Sequence, residues 1–209
     1  MTARSLKATG IPKRFWGMSL SDLQQSTDAV YAVEEYLENI ADYRDQGVGV
    51  LLHGEPGMGK TTLASIIGVT AFSLGYSVAY TTMASFVHRQ IQNMGNRDAG
   101  KNPDYSPETR REAGDRWMAF TKQMSYWRNR LDFLIIDDVG KEHTTSTRFA
   151  EDEFDYLFRH RFDKGNPTVL TSNIPITKWA SRYSDSMFSF IHEACEIVPV
   201  TADVDYRRA

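Results

Sequence analysis

The chain contains one cysteine, Cys195, among 209 residues. A single thiol excludes an internal disulfide and any zinc site built from several cysteines, and it fits a reducing compartment. No apolar run approaches the ~18 residues that a membrane span requires, and the N-terminus lacks the apolar core of a signal peptide. The expectation is therefore a cytoplasmic protein with no membrane partner. Positive charge is not in excess either: 24 Lys+Arg against 27 Asp+Glu give a formal charge of −3. That excludes a nucleic-acid binder coated uniformly in basic charge and leaves room for a local basic patch. His53 and His143 have no companions at metal-ligand spacing, which argues against zinc. Internal repeats and low-complexity tracts are also lacking. What is present, 41% hydrophobic and 24% charged residues, suffices to bury a real core, and the length suits one domain.

The pattern along the chain divides it into an N-terminal arm, residues 1–25, and a body, residues 26–209. The arm is polar with isolated anchors at Ile11, Phe15, Trp16, Met18 and Leu20. Apolar residues at Val30, Val33, Leu37 and Ile40 predict a helix over 26–46, with Gly47 as its stop. Val48, Val50, Leu51 and Leu52 then read as a buried strand entering a glycine-rich turn. A helix is expected over 61–74, a strand over 77–81 and a helix over 84–94. Glycine, asparagine and proline over 95–107 predict a surface loop. A helix over about 107–130, a strand over 131–137, a helix over 148–162 and strands at 168–171 and 196–200 complete the reading. Strands alternating with helices predict an α/β fold with a parallel sheet covered on both faces.

The segment Gly54-Glu55-Pro56-Gly57-Met58-Gly59-Lys60-Thr61 is a full GxxxxGK[ST] motif. Its glycines let backbone N–H groups wrap a phosphate chain, and the helix that follows adds its positive N-terminal end. Lys60 then reaches the β- and γ-phosphates, and the Thr61 hydroxyl holds Mg²⁺. A nucleotide with Mg²⁺ is what this motif predicts.

A phosphate loop of this kind needs a partner carboxylate. Leu134-Ile135-Ile136-Asp137-Asp138 places one at a strand end, 77 positions after Lys60. Asp137 is expected to bind the metal. Asp138 is expected to polarise the attacking water, the other reading being that it caps the next turn. Thr171-Ser172-Asn173 ends a strand 36 positions after Asp137. There Asn173 could hold the lytic water or sense the γ-phosphate, although Ser-Asn after a strand is also routine turn chemistry.

This ordered set resembles the additional-strand P-loop ATPases called AAA+. Within them, Gly10-Ile11-Pro12-Lys13-Arg14-Phe15, Asp137-Asp138-Val139-Gly140-Lys141-Glu142, Arg161-Phe162 with Pro167-Thr168-Val169-Leu170-Thr171-Ser172-Asn173, and Asp205-Tyr206-Arg207-Arg208 resemble segments of the DnaC/DnaI-type helicase loaders. The likeness runs over about residues 8–208. It implies a five-stranded parallel sheet flanked by helices with little or no lid domain. It also implies a phosphate cradle of Gly54, Gly57, Gly59, Lys60, Thr61 and Thr62, with Glu55, Pro56 and Met58 in the same loop. Asp137 and Asp138 become the metal-binding and water-activating acids, Asn173 the first sensor, and Arg207 a second sensor on the γ-phosphate. The resemblance makes the nucleotide ATP, with Ile11 and Pro12 against the adenine. The implied activity is weak ATP hydrolysis by an ATP-dependent homo-oligomer that loads a replicative hexameric helicase onto single-stranded DNA.

Two features depart from that pattern. Phe190 stands where the resemblance expects an arginine finger, with Arg182, Arg159 or Arg161 as possible substitutes. The chain also begins almost directly at the ATPase core, as in a minimal loader of the kind phages encode. Two alternatives stay open: a transposition regulator of the IstB type acting on duplex DNA, and a nucleotide-binding helicase adaptor or inhibitor with little hydrolysis. Residues 88–130 are locally basic and interleaved with aromatics, a composition that suits a single strand. Trp117, Phe120 and Met124, at helical spacing, are expected in the core.

Overall fold

The computed structural model describes residues 3–23, 27–140 and 148–201. Five strands form one parallel sheet: β1 (Gly49–His53), β2 (Val78–Thr82), β3 (Phe133–Val139), β4 (Thr168–Ser172) and β5 (Cys195–Pro199). Their order is β2-β3-β4-β1-β5. β4, late in the chain, is thus inserted between β1 and β3, and the C-terminal ends of those three strands lie side by side.

Alternation along the strands divides the core in two, because successive side chains point to opposite faces. Val50 and Leu52 pack on one face with Phe133, Ile135 and Val169, while Leu51 packs on the other with Leu134, Ile136 and Leu170. The first face is covered by α1 (Ala3–Thr9), α2 (Asp28–Glu38), α3 (Ile40–Gln46) and α4 (Lys60–Ser73). The second carries α5 (Met83–Lys101), α6 (Pro107–Asn129), α7 (Phe149–Asp163), α8 (Trp179–Arg182) and α9 (Asp185–Ala194). α4 runs close under the sheet: a Cβ on Gly68 would lie 2.4 Å from Ile135 Cδ1 and 3.0 Å from Ile11 Cδ1. Among the described residues no helix is long and apolar enough to cross a membrane.

Several expectations change in detail. The helix expected over 26–46 is two, α2 and α3, meeting at Asn39, whose side-chain amide donates to Glu35 O at 2.9 Å. Asparagine competes for backbone partners in this way and favours helix ends. Gly47 does stop α3, in the left-handed region at φ 76°.

The loop expected over 95–107 is helical as far as Lys101. α5 and α6 form an antiparallel hairpin in which Gly100 meets Gly114 and the Arg110 carbonyl, so tertiary contact overrides the weak helix propensity of glycine. Only the short turn beyond remains: Asp104 N–H donates to Asn102 Oδ1 at 2.9 Å, Ser106 caps α6 and Pro107 opens it. Of the three residues expected in the core of α6, Met124 is buried and Phe120 partly so, whereas Trp117 lines an open cleft with Lys122 and Tyr126.

The N-terminal segment is less an arm than a strap. Leu6, Ile11 and Phe15 are buried, and Trp16 Nε1 donates to Ile11 O at 2.7 Å.

Candidate nucleotide site

The site lies at the C-terminal edge of the sheet, where β1, β3 and β4 end. β1 delivers the chain into the turn that opens α4. Gly54 holds φ 154° and Gly59 holds φ 91°, and a Cβ on Gly54 would sit 2.2 Å from Val200 O. Only glycine fits that passage, which directs the loop around an opening at the α4 N-terminus.

A cleft of about 190 Å³ opens there, lined by Arg14, Phe15, Gly57, Gly59, Lys60, Thr61, Thr62, Asp138 and Asn173. Residues far apart in sequence, Gly57 to Thr62, Asp138 and Asn173, thus meet in one cavity. Glu55 and Pro56 are exposed on the outside of the loop, and Met58 leans on the core. Lys60 is buried, its ammonium donating to the carbonyls of Gly54 and Glu55 at 2.7 Å each. A buried cation needs acceptors, and here the loop itself provides them.

Asp137 is buried beside the cradle. Thr61 Oγ1 donates to its Oδ1 at 2.9 Å, Thr171 Oγ1 donates to the same oxygen, and Tyr80 Oη donates to Oδ2 at 2.7 Å. Burial, reinforced by the Asp137 charge, holds the Tyr80 phenol well above its ordinary pKa. The Thr61 hydroxyl and Asp137 carboxylate are hard oxygen donors within hydrogen-bond reach, which fits Mg²⁺. Among the described residues no group of three or more acidic, histidine or cysteine side chains could hold a metal alone.

Asp138 takes a different course. The register between β3 and β4 slips between Ile136 and Val139, and Asp138 adopts φ 61°. Its N–H donates to Thr171 Oγ1 at 2.9 Å. The two neighbouring carboxylates point apart, one beneath the cradle and one into the cleft, and the irregularity re-aims Asp138, as a bulge beside a site does.

Other sequence-derived residues fall elsewhere. Ile11 is 2% exposed and packs into the core, while Pro12 precedes the turn that carries Arg14 and Phe15 to the cleft wall. Sequence reasoning missed Tyr80, Thr171, Arg14 and Phe15 as components of the site. Arg14 and Phe15 close the segment 10–15 that carries the resemblance, and the strap's path brings them to the cleft wall.

Phe190 is buried edge-on against Phe158 and Phe162, with the Arg159 guanidinium 4.3 Å over its ring. Arg161 is fully buried and donates to Trp127 O, Leu131 O, Asp132 O, Pro167 O and Thr168 Oγ1. Burial lowers its pKa to about 9, so it stays charged at neutral pH. It ties α6, β3 and β4 together and cannot reach a neighbouring subunit, which removes it as a substitute finger. Arg159 pairs with Asp155 at 2.7 Å, and Arg182 pairs with Glu151. Lys141, Glu142, His143 and Arg207 lie outside the described residues.

Comparison with known proteins places these features in context. The model of a family described as IstB-like ATP binding protein matches residues 20–101, which include the phosphate loop. No curated protein matches the chain in sequence. Among solved structures, a DnaC helicase loader superposes with TM-score 0.70 at 20% identity, over 91% of this chain and all (100%) of that one. DnaI gives 0.63 at 20% identity, over 91% and 94%. The replication initiator DnaA bound to AMPPCP and single-stranded DNA gives 0.68 at 18% identity, over 94% of this chain and 53% of that one. The chain thus spans about half the length of the DnaA chain. At such identity the likeness concerns architecture. A parallel five-stranded sheet with β4 between the loop strand and the acid strand, flanked by helices, is the fold this chain shares with DnaC, DnaI and DnaA.

Proposed function

We propose that the chain is a Mg²⁺-dependent ATPase that loads a replicative hexameric helicase onto single-stranded DNA. The nucleotide part is carried by one observation: the glycine cradle, Lys60, Asp138 and Asn173 share one cleft, with Thr61 and Asp137 hydrogen-bonded at its floor. In this reading the cradle amides and Lys60 bind the phosphates, Lys60 exchanging the Gly54 and Glu55 carbonyls for phosphate oxygens. Thr61 and Asp137 hold Mg²⁺, which when bound neutralises charge on the β- and γ-phosphates. Asp138 accepts the proton of the attacking water, Asn173 orients that water or senses the γ-phosphate, and Arg207 contacts the γ-phosphate. Ile11 and Pro12 border the adenine, Ile11 through the backbone of the strap since its side chain is buried in the core.

The loader part is supported by the motif resemblance and by the shape shared with DnaC and DnaI over most of the chain. Single-stranded DNA is assigned to the basic hairpin of α5 and α6, whose outer face presents Trp117, Lys122, Tyr126 and Arg130 around one open cleft. ATP binding would order a homo-oligomer around the strand, and hydrolysis would release it.

The direct test is the native mass of the protein mixed with its host's hexameric replicative helicase, with and without ATP. A nucleotide-dependent complex of fixed stoichiometry is expected, and an unwinding assay then separates a loader from an inhibitor. No complex in either condition contradicts the proposal. The IstB-like match favours a second reading, a transposition regulator on duplex DNA. Stable ATP-dependent filaments on double-stranded DNA, with no helicase complex, would select it.

A further inference from the structure

Tyr80 belongs to none of the sequence motifs, yet its hydroxyl is built into the floor of the site. Asp137 Oδ2 takes that hydroxyl at 2.7 Å, while Oδ1 takes the hydroxyls of Thr61 and Thr171. Tyr80 stands on β2 and Thr171 on β4, the two strands that flank β3. The carboxylate is therefore gripped from both sides, each flanking strand supplying one donor, and cannot rotate without breaking a bond. Thr61 is different in kind, because its oxygen is also a metal donor. Once Thr61 turns to a metal, Tyr80 and Thr171 still fix the plane of Asp137.

The ring of Tyr80 is partly buried against the core, a task that phenylalanine performs equally well. The backbone around it is also fixed from behind, since a Cβ on Gly10 would lie 2.8 Å from Tyr80 O. The hydroxyl thus reaches Asp137 from an immobile base.

We propose that Tyr80 is a positioning residue for the metal of this site: its phenol orients the Asp137 carboxylate so that one oxygen, beside the Thr61 hydroxyl, faces an incoming Mg²⁺. The proposal rests on the nucleotide-binding reading of the cleft. Groups that orient a metal ligand typically contribute about 10–100-fold in metal affinity. Tyr80 does not line the cleft that the cradle forms, so nucleotide binding without metal should be independent of its hydroxyl.

The test is Tyr80→Phe, with a fluorescent ATP analogue titrated in EDTA and then against increasing Mg²⁺. The expected result is wild-type affinity in EDTA and a Mg²⁺ midpoint raised roughly tenfold or more. Thr171→Val should shift the midpoint in the same direction, and Thr171→Ser should restore it. An unchanged midpoint in Tyr80→Phe overturns the proposal while leaving the ATPase reading intact. Equal weakening with and without metal also overturns it, in favour of a packing role. Absence of Mg²⁺-dependent nucleotide binding by the wild type overturns both.

Discussion

Asp137 and Asp138 are adjacent in sequence and face opposite surroundings. Asp137 is 5% exposed and accepts hydroxyls from Thr61, Thr171 and Tyr80, whereas Asp138, at φ 61°, lines the open cleft with Lys60 and Asn173. One carboxylate is locked where a metal would sit, and its neighbour faces the space where phosphate and water would meet. A β-strand in regular register also alternates its side chains. The slip between Ile136 and Val139 adds the positive φ that aims Asp138 into the cleft.

That division predicts separable defects. Asp138→Ala should bind ATP as the wild type does, because the cradle and Asp137 are untouched. Its turnover should fall by roughly 10²–10⁴-fold, the usual contribution of a positioned general base. Binding by fluorescence and hydrolysis by phosphate release check the two halves. Normal hydrolysis by Asp138→Ala would show that the water is activated by another group.

Phe190 predicts the reverse, a change in stability without a change in chemistry. It is buried among Phe158, Phe162 and the Arg159 guanidinium. Phe190→Ala should cost about 3–5 kcal/mol in chemical denaturation. Nucleotide affinity, measured at low temperature where the variant stays folded, should not change. Wild-type stability combined with lost hydrolysis would instead place position 190 in the catalytic machinery.

Arg161 makes a stronger prediction of the same kind. Arg161→Lys keeps the charge but cannot match the planar fork that serves four carbonyls and Thr168 Oγ1. Each buried carbonyl left unpaired costs about 1–3 kcal/mol. The lysine variant should therefore unfold at markedly lower urea than the wild type. Equal midpoints would mean that the network adds little.

Asp132 gives a pH signature. Burial pushes its pKa up, but hydrogen bonds from the Ser77 hydroxyl and N–H, with the Arg44 ion pair, outweigh this and hold it below the ordinary carboxylate value. A carboxylate with a depressed folded pKa stabilises the protein above its unfolded pKa, and that contribution disappears as pH falls through the folded value. Asp132→Asn should be less stable than the wild type by about 1–3 kcal/mol at neutral pH. The gap should persist down to the ordinary value of 3.8 and close below it. A gap that is the same in strong acid as at neutral pH would contradict the assignment.

Much of this architecture was legible in the sequence because its signals are local. Glycine spacing announced the loop after β1, and short apolar runs announced β1, β3 and β4. Asp137 and Asn173 stand out in the sequence because strand ends carry site residues in α/β sheets. α9 was overlooked although Met187, Phe190, Ile191 and Ala194 are buried at helical spacing and Ser184 caps it. Tyr80 gave no local signal, and Arg14 and Phe15, although they close the segment 10–15 that carries the resemblance, gave none for a place at the cleft wall. A tyrosine in a strand reads as packing, and a strap's path is fixed by distant contacts such as the Gly10 approach to Tyr80. Trp117 was misplaced because helical periodicity reports an apolar face without saying how far a hairpin extends beyond the sheet.

The central claim is that this cleft holds the phosphates of ATP through Lys60, and equilibrium binding of ATP by the wild type and by Lys60→Ala tests it most directly. The account predicts saturable, Mg²⁺-strengthened binding by the wild type and loss of binding by a Lys60→Ala protein that still unfolds cooperatively. Equal binding by the two proteins, or none by the wild type, would contradict it.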